Sequence, residues 1–333
     1  FEYRYRILVC VTILQALMNP IASLVLIRIN GGTAMMRILG IVGVQICICV
    51  PIIVFQFCKG KEFFSKEYWG YALRIGIPIV PHYLSGIILN QGDRIMIDKM
   101  VGKTEVALYG LAYSIGMLVQ LFISGMNSAL TPWMYSKIKK GDIRSMRKVL
   151  QLLSIVVVGI AVALMLISPE LVLIFGSPKY REAVYVIPPV AASVFFIFIY
   201  NILSMPQFYY EKTQFLMAAS MAAAGANVVL NFIFIRLFGY IAAGYTTLAC
   251  YMLYSVGHYI VSKQILVNEG IQENLMNPGF LLACSVFLIG ASIICNLIFP
   301  YRILRYAILL ASAGLVFWKK ELLLKTMADI RKK

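Results

Sequence analysis

The chain has 333 residues, of which 61% are hydrophobic and only 13% charged, and its mean hydropathy is +0.84. Soluble domains are roughly half apolar and a quarter charged, so this composition excludes one. The net charge of +16 does not imply nucleic acid, because the Lys and Arg residues punctuate apolar blocks, as topology determinants do, instead of gathering on one soluble face.

The apolar blocks are about twenty residues long, the length that crosses roughly 30 Å of hydrocarbon. Ten spans are predicted, at 7–27, 36–57, 74–98, 105–134, 149–175, 184–208, 215–236, 240–262, 279–299 and 303–318. The expected fold is therefore an all-α polytopic transmembrane bundle. Its links are short and leave no room for a globular domain, so function must lie among the helices. The chain opens with Phe1 rather than Met, which reads as a chain whose beginning is missing.

After the first two spans comes "KGKEFFSKEYWGYALRIG", Lys59 to Gly76. Phe63, Phe64, Tyr68, Trp69 and Tyr71 interleave there with Lys61, Lys66 and Arg74, the pattern of an amphipathic segment at a membrane interface. It is an interfacial linker or, more sharply, a lipid-headgroup contact.

The third span ends in "ILNQGDRIMIDKM", Ile88 to Met100. On a helix His82, Gly86, Asn90, Arg94 and Asp98 fall four apart on one face, with Asp93 beside Arg94. Charges inside a span normally face a bundle interior or a water-filled cavity, and usually pair. Arg94 and Asp98 have the spacing for a pair on one helix. Against this, the 19 residues from Arg74 to Asp93 already cover about 28 Å, so 93–99 also fits the outer interface. Pro78 and Pro81 loosen the start of the span.

Other spans carry similar faces. Gln120, Ser124, Asn127, Thr131 and Tyr135 line the fourth; Tyr200, Asn201, Ser204 and Gln207 the sixth; Asn227 and Asn231 the seventh, which closes at Arg236. Each face alone suits interhelical hydrogen bonding. Several together suit an internal polar cavity. The two histidines, His82 and His258, read as packing residues, and the abundant tyrosines as an interfacial belt, with an aromatic pocket for sugar rings as the alternative.

The seven cysteines lie in or beside apolar blocks without metal-ligand spacing and read as small buried apolar residues, so no metal or cofactor is expected. Of the 30 Lys and Arg residues, 20 fall on one side of the predicted membrane, including "KIKKGDIRSMRK" (Lys137 to Lys148) and the closing "RKK". The positive-inside rule places that side, and both ends of the chain, in the cytoplasm.

The stretch Gly76 to Asp142 resembles the polysaccharide-biosynthesis flippases of the multidrug/oligosaccharidyl-lipid/polysaccharide (MOP) superfamily. The likeness rests on the Pro-rich start "GIPIVPHY", on Asp93-Arg94 with its apolar run and Lys99, on "VGKTEVALYGLAYSIG", and on the exit "TPWMYSKIKKGD". "RYRILVCVTILQALMNPIASLVLI" resembles the family's fifth helix.

The resemblance implies a MATE-like architecture of two six-helix lobes. Here 1–58 would end the first lobe, 59–73 would be a cytoplasmic interfacial linker and 74–262 the complete second lobe. A cytoplasmic linker at 263–277 and two further helices with a basic tail at 278–333 would follow. The family's first four helices would be absent. The implied function is to move an undecaprenyl-diphosphate-linked oligosaccharide to the outer leaflet, in a bacterial inner membrane, with glycosyltransferases and a polymerase as partners.

On this view Arg94, and less directly Arg236, hold the diphosphate. Asn127, Thr131, Asn201 and Gln207 contact sugar, Asp93 or Asp98 orients or releases Arg94, and His82 and Asn90 continue the path. The competing readings are a multidrug/toxin extruder of the same superfamily and an intramembrane polymerase or acyltransferase. The short outer loops and the absence of a His-carboxylate constellation speak against an enzyme, and no Gly-rich phosphate loop supports ATP hydrolysis.

Overall fold

The computed structural model describes residues 5–29, 33–61 and 64–318. These form helices joined by tight turns, with no β-strand among the described residues. Eight segments are long and apolar enough to cross a membrane. The basic tail beyond 318, and Phe63 of the linker, lie outside the described residues.

Two compact units divide the chain, Phe1–Leu73 and Arg74–Lys333. In the first, helices α1 (Tyr5–Ile29) and α2 (Ala34–Gly60) pack on each other. A Cβ on Gly40 would lie 2.7 Å from the Ser23 backbone, so glycine is what lets these helices touch. Cys10, Cys47, Cys49 and Cys58 are exposed on these helices, contrary to the burial expected of them; Cys250 and Cys295 are buried. In a membrane chain an apolar thiol needs no protein cover, since lipid serves equally.

Helix α3 runs unbroken over Lys66–Met100. The helix begins eight residues earlier than the span expected at 74, so most of the proposed linker is its first two turns. At 35 residues it measures about 52 Å, longer than the hydrocarbon, and its exposed Tyr68 and Tyr71 sit on the excess length.

The expected fourth span is two helices, α4 (Lys103–Gly116) and α5 (Leu118–Lys139), broken at Met117. A Cβ on Gly116 would stand 2.6 Å from Val190 Cγ1. The break and the glycine together bring this element close against the helix that carries Val190. Next come α6 (Ile143–Phe175), opened by Asp142, whose side chain accepts from the Ser145 N–H, and a 3-10 helix over Pro178–Val186.

Helix α7 (Ile187–Tyr209) is the core: 18 of its 23 residues are buried, and α4, α5, α6, α9 and α10 all pack on it. Helices α8 (Thr213–Phe238) and α9 (Ile241–Asn268) form an antiparallel pair beside it. Last come α10 (Pro278–Ile298) and α11 (Arg302–Trp318). At 17 residues α11 is short for a span, and α9 is diluted by Tyr, Thr, Ser and His.

Two polar ties fix the later helices. Arg305 is buried on α11 and donates from both terminal nitrogens to the Glu170 carboxylate of α6, at 2.8 Å each. It also bonds the Leu166 carbonyl at 2.6 Å, and the Tyr306 hydroxyl reaches Glu170 at 3.0 Å. A forked guanidinium on a carboxylate is the strongest common form of such a pair. At the opposite end of α6, Arg147 Nε donates to the Asn274 carbonyl at 2.7 Å and holds the loop after α9.

Candidate substrate pathway

The buried residues of α3 toward its end are Ser85, Leu89, Asp93 and Ile97, four apart. The row predicted from the sequence, His82, Gly86, Asn90 and Arg94, is the half-buried edge of that stripe. The rest of the helix is apolar and exposed, with Ile77, Val80, Leu84, Ile87 and Ile95 facing out.

Asp93 is 0% exposed and points away from Arg94. Its Oδ2 accepts from the Tyr109 hydroxyl of α4 at 2.5 Å and from Thr247 Oγ1 of α9 at 2.7 Å. Its Oδ1 accepts from Asn231 Nδ2 of α8 at 2.5 Å. Asn231 Nδ2 also reaches Asn227 Oδ1 at 3.1 Å, and Thr246 donates to Asn231 Oδ1. Four helices thus meet on one carboxylate held by neutral donors, the satisfaction that a buried charge requires.

The pair expected between Arg94 and Asp98 does not form. Arg94 Nη1 donates to Gln91 Oε1 at 2.5 Å, and its guanidinium lies 5.0 Å from the centre of the Tyr113 ring. Arg94 Nε is buried without a partner. Asp98 is exposed one turn further on. Arg94 is therefore oriented by an amide and an aromatic face rather than by either aspartate. The physical reason is rotational: Asp93 sits on the stripe turned into the bundle and Asp98 beyond its edge.

One turn before Arg94, the Asn90 amide donates to the Gly86 carbonyl at 2.7 Å and accepts from Tyr113 at 2.6 Å and Tyr251 at 3.2 Å. Two turns further back, His82 Nδ1 meets the Tyr254 hydroxyl at 3.0 Å. Between α3, α7 and α9 these side chains open a cleft of about 160 Å³ whose lining includes His82, Gly86, Tyr200, Asn201, Tyr251 and Tyr254. The cleft thus joins His82 and Asn201, which the sequence placed on separate faces.

The other predicted residues lie apart from it. Gln207 is buried behind the cleft, donating to His258 Nδ1 at 2.8 Å. Asn127 and Thr131 are half-buried on α5, where the Thr131 hydroxyl donates to the Asn127 carbonyl at 2.8 Å. Arg236 is exposed at the end of α8, its guanidinium 3.9 Å from the centre of the Phe232 ring. A larger cavity of about 560 Å³ between α6, the 3-10 helix and the α10–α11 turn is lined by Arg181, Glu182, Tyr185 and Phe299. It contains none of the polar residues at membrane depth.

Sequence reasoning missed Tyr109, Tyr113, Tyr251, Tyr254, Thr246 and Thr247 as site residues. Two signals were present. Tyr109 and Tyr113 are four apart, and Tyr251, Tyr254 and His258 recur at three and four on one face. No group of three His, Cys, Asp or Glu side chains able to hold a metal occurs among the described residues.

An all-α, multi-pass bundle with a tyrosine-lined polar interior defines a membrane protein of the transporter kind. Comparison with known families makes this specific. Residues 3–139 match the family model described as "Polysaccharide biosynthesis protein", and residues 78–233 match that described as "MatE". Both matches support a flippase-like polysaccharide-biosynthesis protein of the MOP superfamily.

It is similar to "Lsg locus putative protein 1" of Haemophilus influenzae, 28% identical over 172 residues, which cover 48% of this chain and 41% of that protein. An "Uncharacterized membrane protein" of the same organism is 29% identical over 167 residues, covering 47% of this chain and 40% of the other. The chain thus spans about two fifths of the length of the curated relatives it matches. No solved structure matches it.

Proposed function

We propose that the protein carries an undecaprenyl-diphosphate-linked oligosaccharide from the cytoplasmic to the outer leaflet of a bacterial inner membrane. On this reading the side rich in Lys and Arg, with both ends of the chain, faces the cytoplasm. Glycosyltransferases and a polymerase of the same pathway supply and consume the lipid-linked glycan.

The observation that carries the reading is Arg94. It is a cation on the half-buried edge of α3, oriented by Gln91 and Tyr113 and, among the described residues, paired with no carboxylate. A guanidinium so placed is free to bind an anion, and phosphate matches its fork in geometry and charge. The diphosphate is the part of such a lipid that cannot cross hydrocarbon alone. The polyprenyl tail stays in lipid while the sugars follow the polar edge of α3, and rocking of the helices opens the path to each side in turn.

The multidrug-extruder reading needs an acid free to hold a cationic drug. Asp93 does not meet that need, since three neutral donors already occupy both of its oxygens, and Asp98 is exposed on α3 beside Lys99 rather than turned into the bundle.

The test is complementation of cells lacking their own repeat-unit flippase, comparing the full gene product with its Arg94→Ala variant at equal membrane abundance. The expected result is surface polysaccharide with the wild type, and lipid-linked repeat accumulating inside with the variant. Full export by Arg94→Ala, or resistance to cationic dyes without any export, overturns the reading.

A further inference from the structure

The cleft beside α3 differs in chemistry from the Arg94 position. Its lining holds no Lys, Arg, Asp or Glu side chain. The walls are aromatic. The Tyr200 ring centre lies 4.5 Å from that of Tyr254, and its plane is within 8° of that of Tyr251 at 6.3 Å. The polar groups at the rim fall into two sets. Some are already bound: the Tyr254 hydroxyl meets His82, the Tyr251 hydroxyl bonds Asn90, and Ser204 donates to the Asn201 carbonyl at 2.8 Å. Others are open: among the described residues, neither the side-chain amide of Asn201 nor the hydroxyl of Tyr200 has a hydrogen-bond partner.

We propose that this cleft is a subsite for one uncharged pyranose ring of the transported glycan, and that Asn201 and Tyr200 are the residues that select it. The inference rests on the flippase reading and adds to it the class of sugar admitted.

The chemistry of the lining gives the reason. A pyranose presents apolar C–H faces and equatorial hydroxyls that both donate and accept. Aromatic rings in the lining give apolar surface to those faces, and an amide with a phenol matches the hydroxyls. A uronate or sialate brings a carboxylate into a cleft with no cation to receive it. Burying an unpaired charge is strongly unfavourable. An ammonium sugar loses its hydration without meeting an acid on the lining. A charged diphosphate and a neutral sugar are thereby sorted to neighbouring places along one helix edge, Arg94 for the first and the cleft for the second.

The experiment is saturation-transfer NMR on the purified full-length protein in lipid nanodiscs. The probes are methyl glucopyranoside and methyl glucuronoside at equal concentration. The expected result is transfer to the ring protons of the neutral glycoside, with the glucuronoside weaker by about tenfold or more. Asn201→Leu is expected to reduce the neutral signal by about tenfold, and Tyr200→Phe, which keeps the ring, by about threefold. Both variants must match the wild type in thermal midpoint. Equal binding of the two probes, absence of neutral binding, or an undiminished signal in Asn201→Leu overturns the proposal.

Export in flippase-deficient cells separates this outcome from the wider reading. If wild type and Asn201→Leu export equally and the probes bind alike, the cleft proposal fails alone. If nothing is exported while the neutral glycoside still binds through Asn201, the flippase reading fails and the sugar site stands.

Discussion

Helices α7 and α3 are held in the bundle by opposite means. Helix α7 buries 18 of 23 residues, nearly all apolar, and touches helices on every side. Helix α3 buries five of 35; Leu89 and Ile97 pack into the core, and the helix is otherwise joined to its neighbours through polar side chains: Asp93 to α4, α8 and α9, Asn90 to α4 and α9, His82 to α9. Close apolar packing is rigid, since small shifts open voids along a whole surface. Hydrogen bonds through extended side chains permit exchange of partners with little loss of packing. The contrast makes α7 the fixed post of the second unit and α3 the element suited to move, and α3 is also the helix that carries the proposed anion site.

The comparison is most severely tested in α7. Phe198→Ala removes a fully buried ring and is expected to cost about 3–5 kcal/mol, read as a large drop in thermal midpoint in detergent. Little change would mean that α7 is not the post.

On α3 the largest effect is expected at Asp93. Asp93→Leu leaves the Tyr109, Asn231 and Thr247 donors without their acceptor and is expected to cost about 2–3 kcal/mol. Asp93→Asn, which keeps an acceptor oxygen, costs less. Equal loss for both would show that charge, not hydrogen bonding, holds the junction. The smallest effect is expected at Asp98, which is exposed: Asp98→Asn should shift stability by no more than about 0.5 kcal/mol and leave export intact. A large loss there would restore the partnership with Arg94 that the geometry does not contain.

Much of the fold was readable because hydrophobic blocks of span length are a one-dimensional signal. Each of the ten predicted spans falls largely on helix, the fourth on two α-helices and the sixth on the end of the 3-10 helix and α7. Boundaries were less readable: the break at Met117 follows Gly116, but Gly110 and Gly125 lie in the same apolar run 105–134 without breaking it, so glycine alone does not single the place out.

The site was half legible. Spacing on one helix put His82, Asn90 and Arg94 on one edge of α3, because a helical face is fixed by the sequence of that helix alone. How far that edge turns inward depends on what the neighbours offer, and there the sequence misled. Asp93 and Arg94 are adjacent in the chain, yet the roughly 100° between successive helical residues sends one into the bundle and the other to its margin. The tyrosines were hardest to read, since a belt residue and a cleft residue have the same composition and differ only in which helix they face.

The central claim is transport of a lipid-linked glycan along the α3 edge. It is tested most directly by reconstituting the purified full-length protein in liposomes containing a fluorescent undecaprenyl-diphosphate oligosaccharide. Transfer between leaflets is then followed by quenching with a membrane-impermeant reductant. The account predicts quenching beyond the outer-leaflet fraction with the wild type, and none beyond it with Arg94→Ala folded to the same thermal midpoint. Identical traces for wild-type, Arg94→Ala and protein-free liposomes would contradict it.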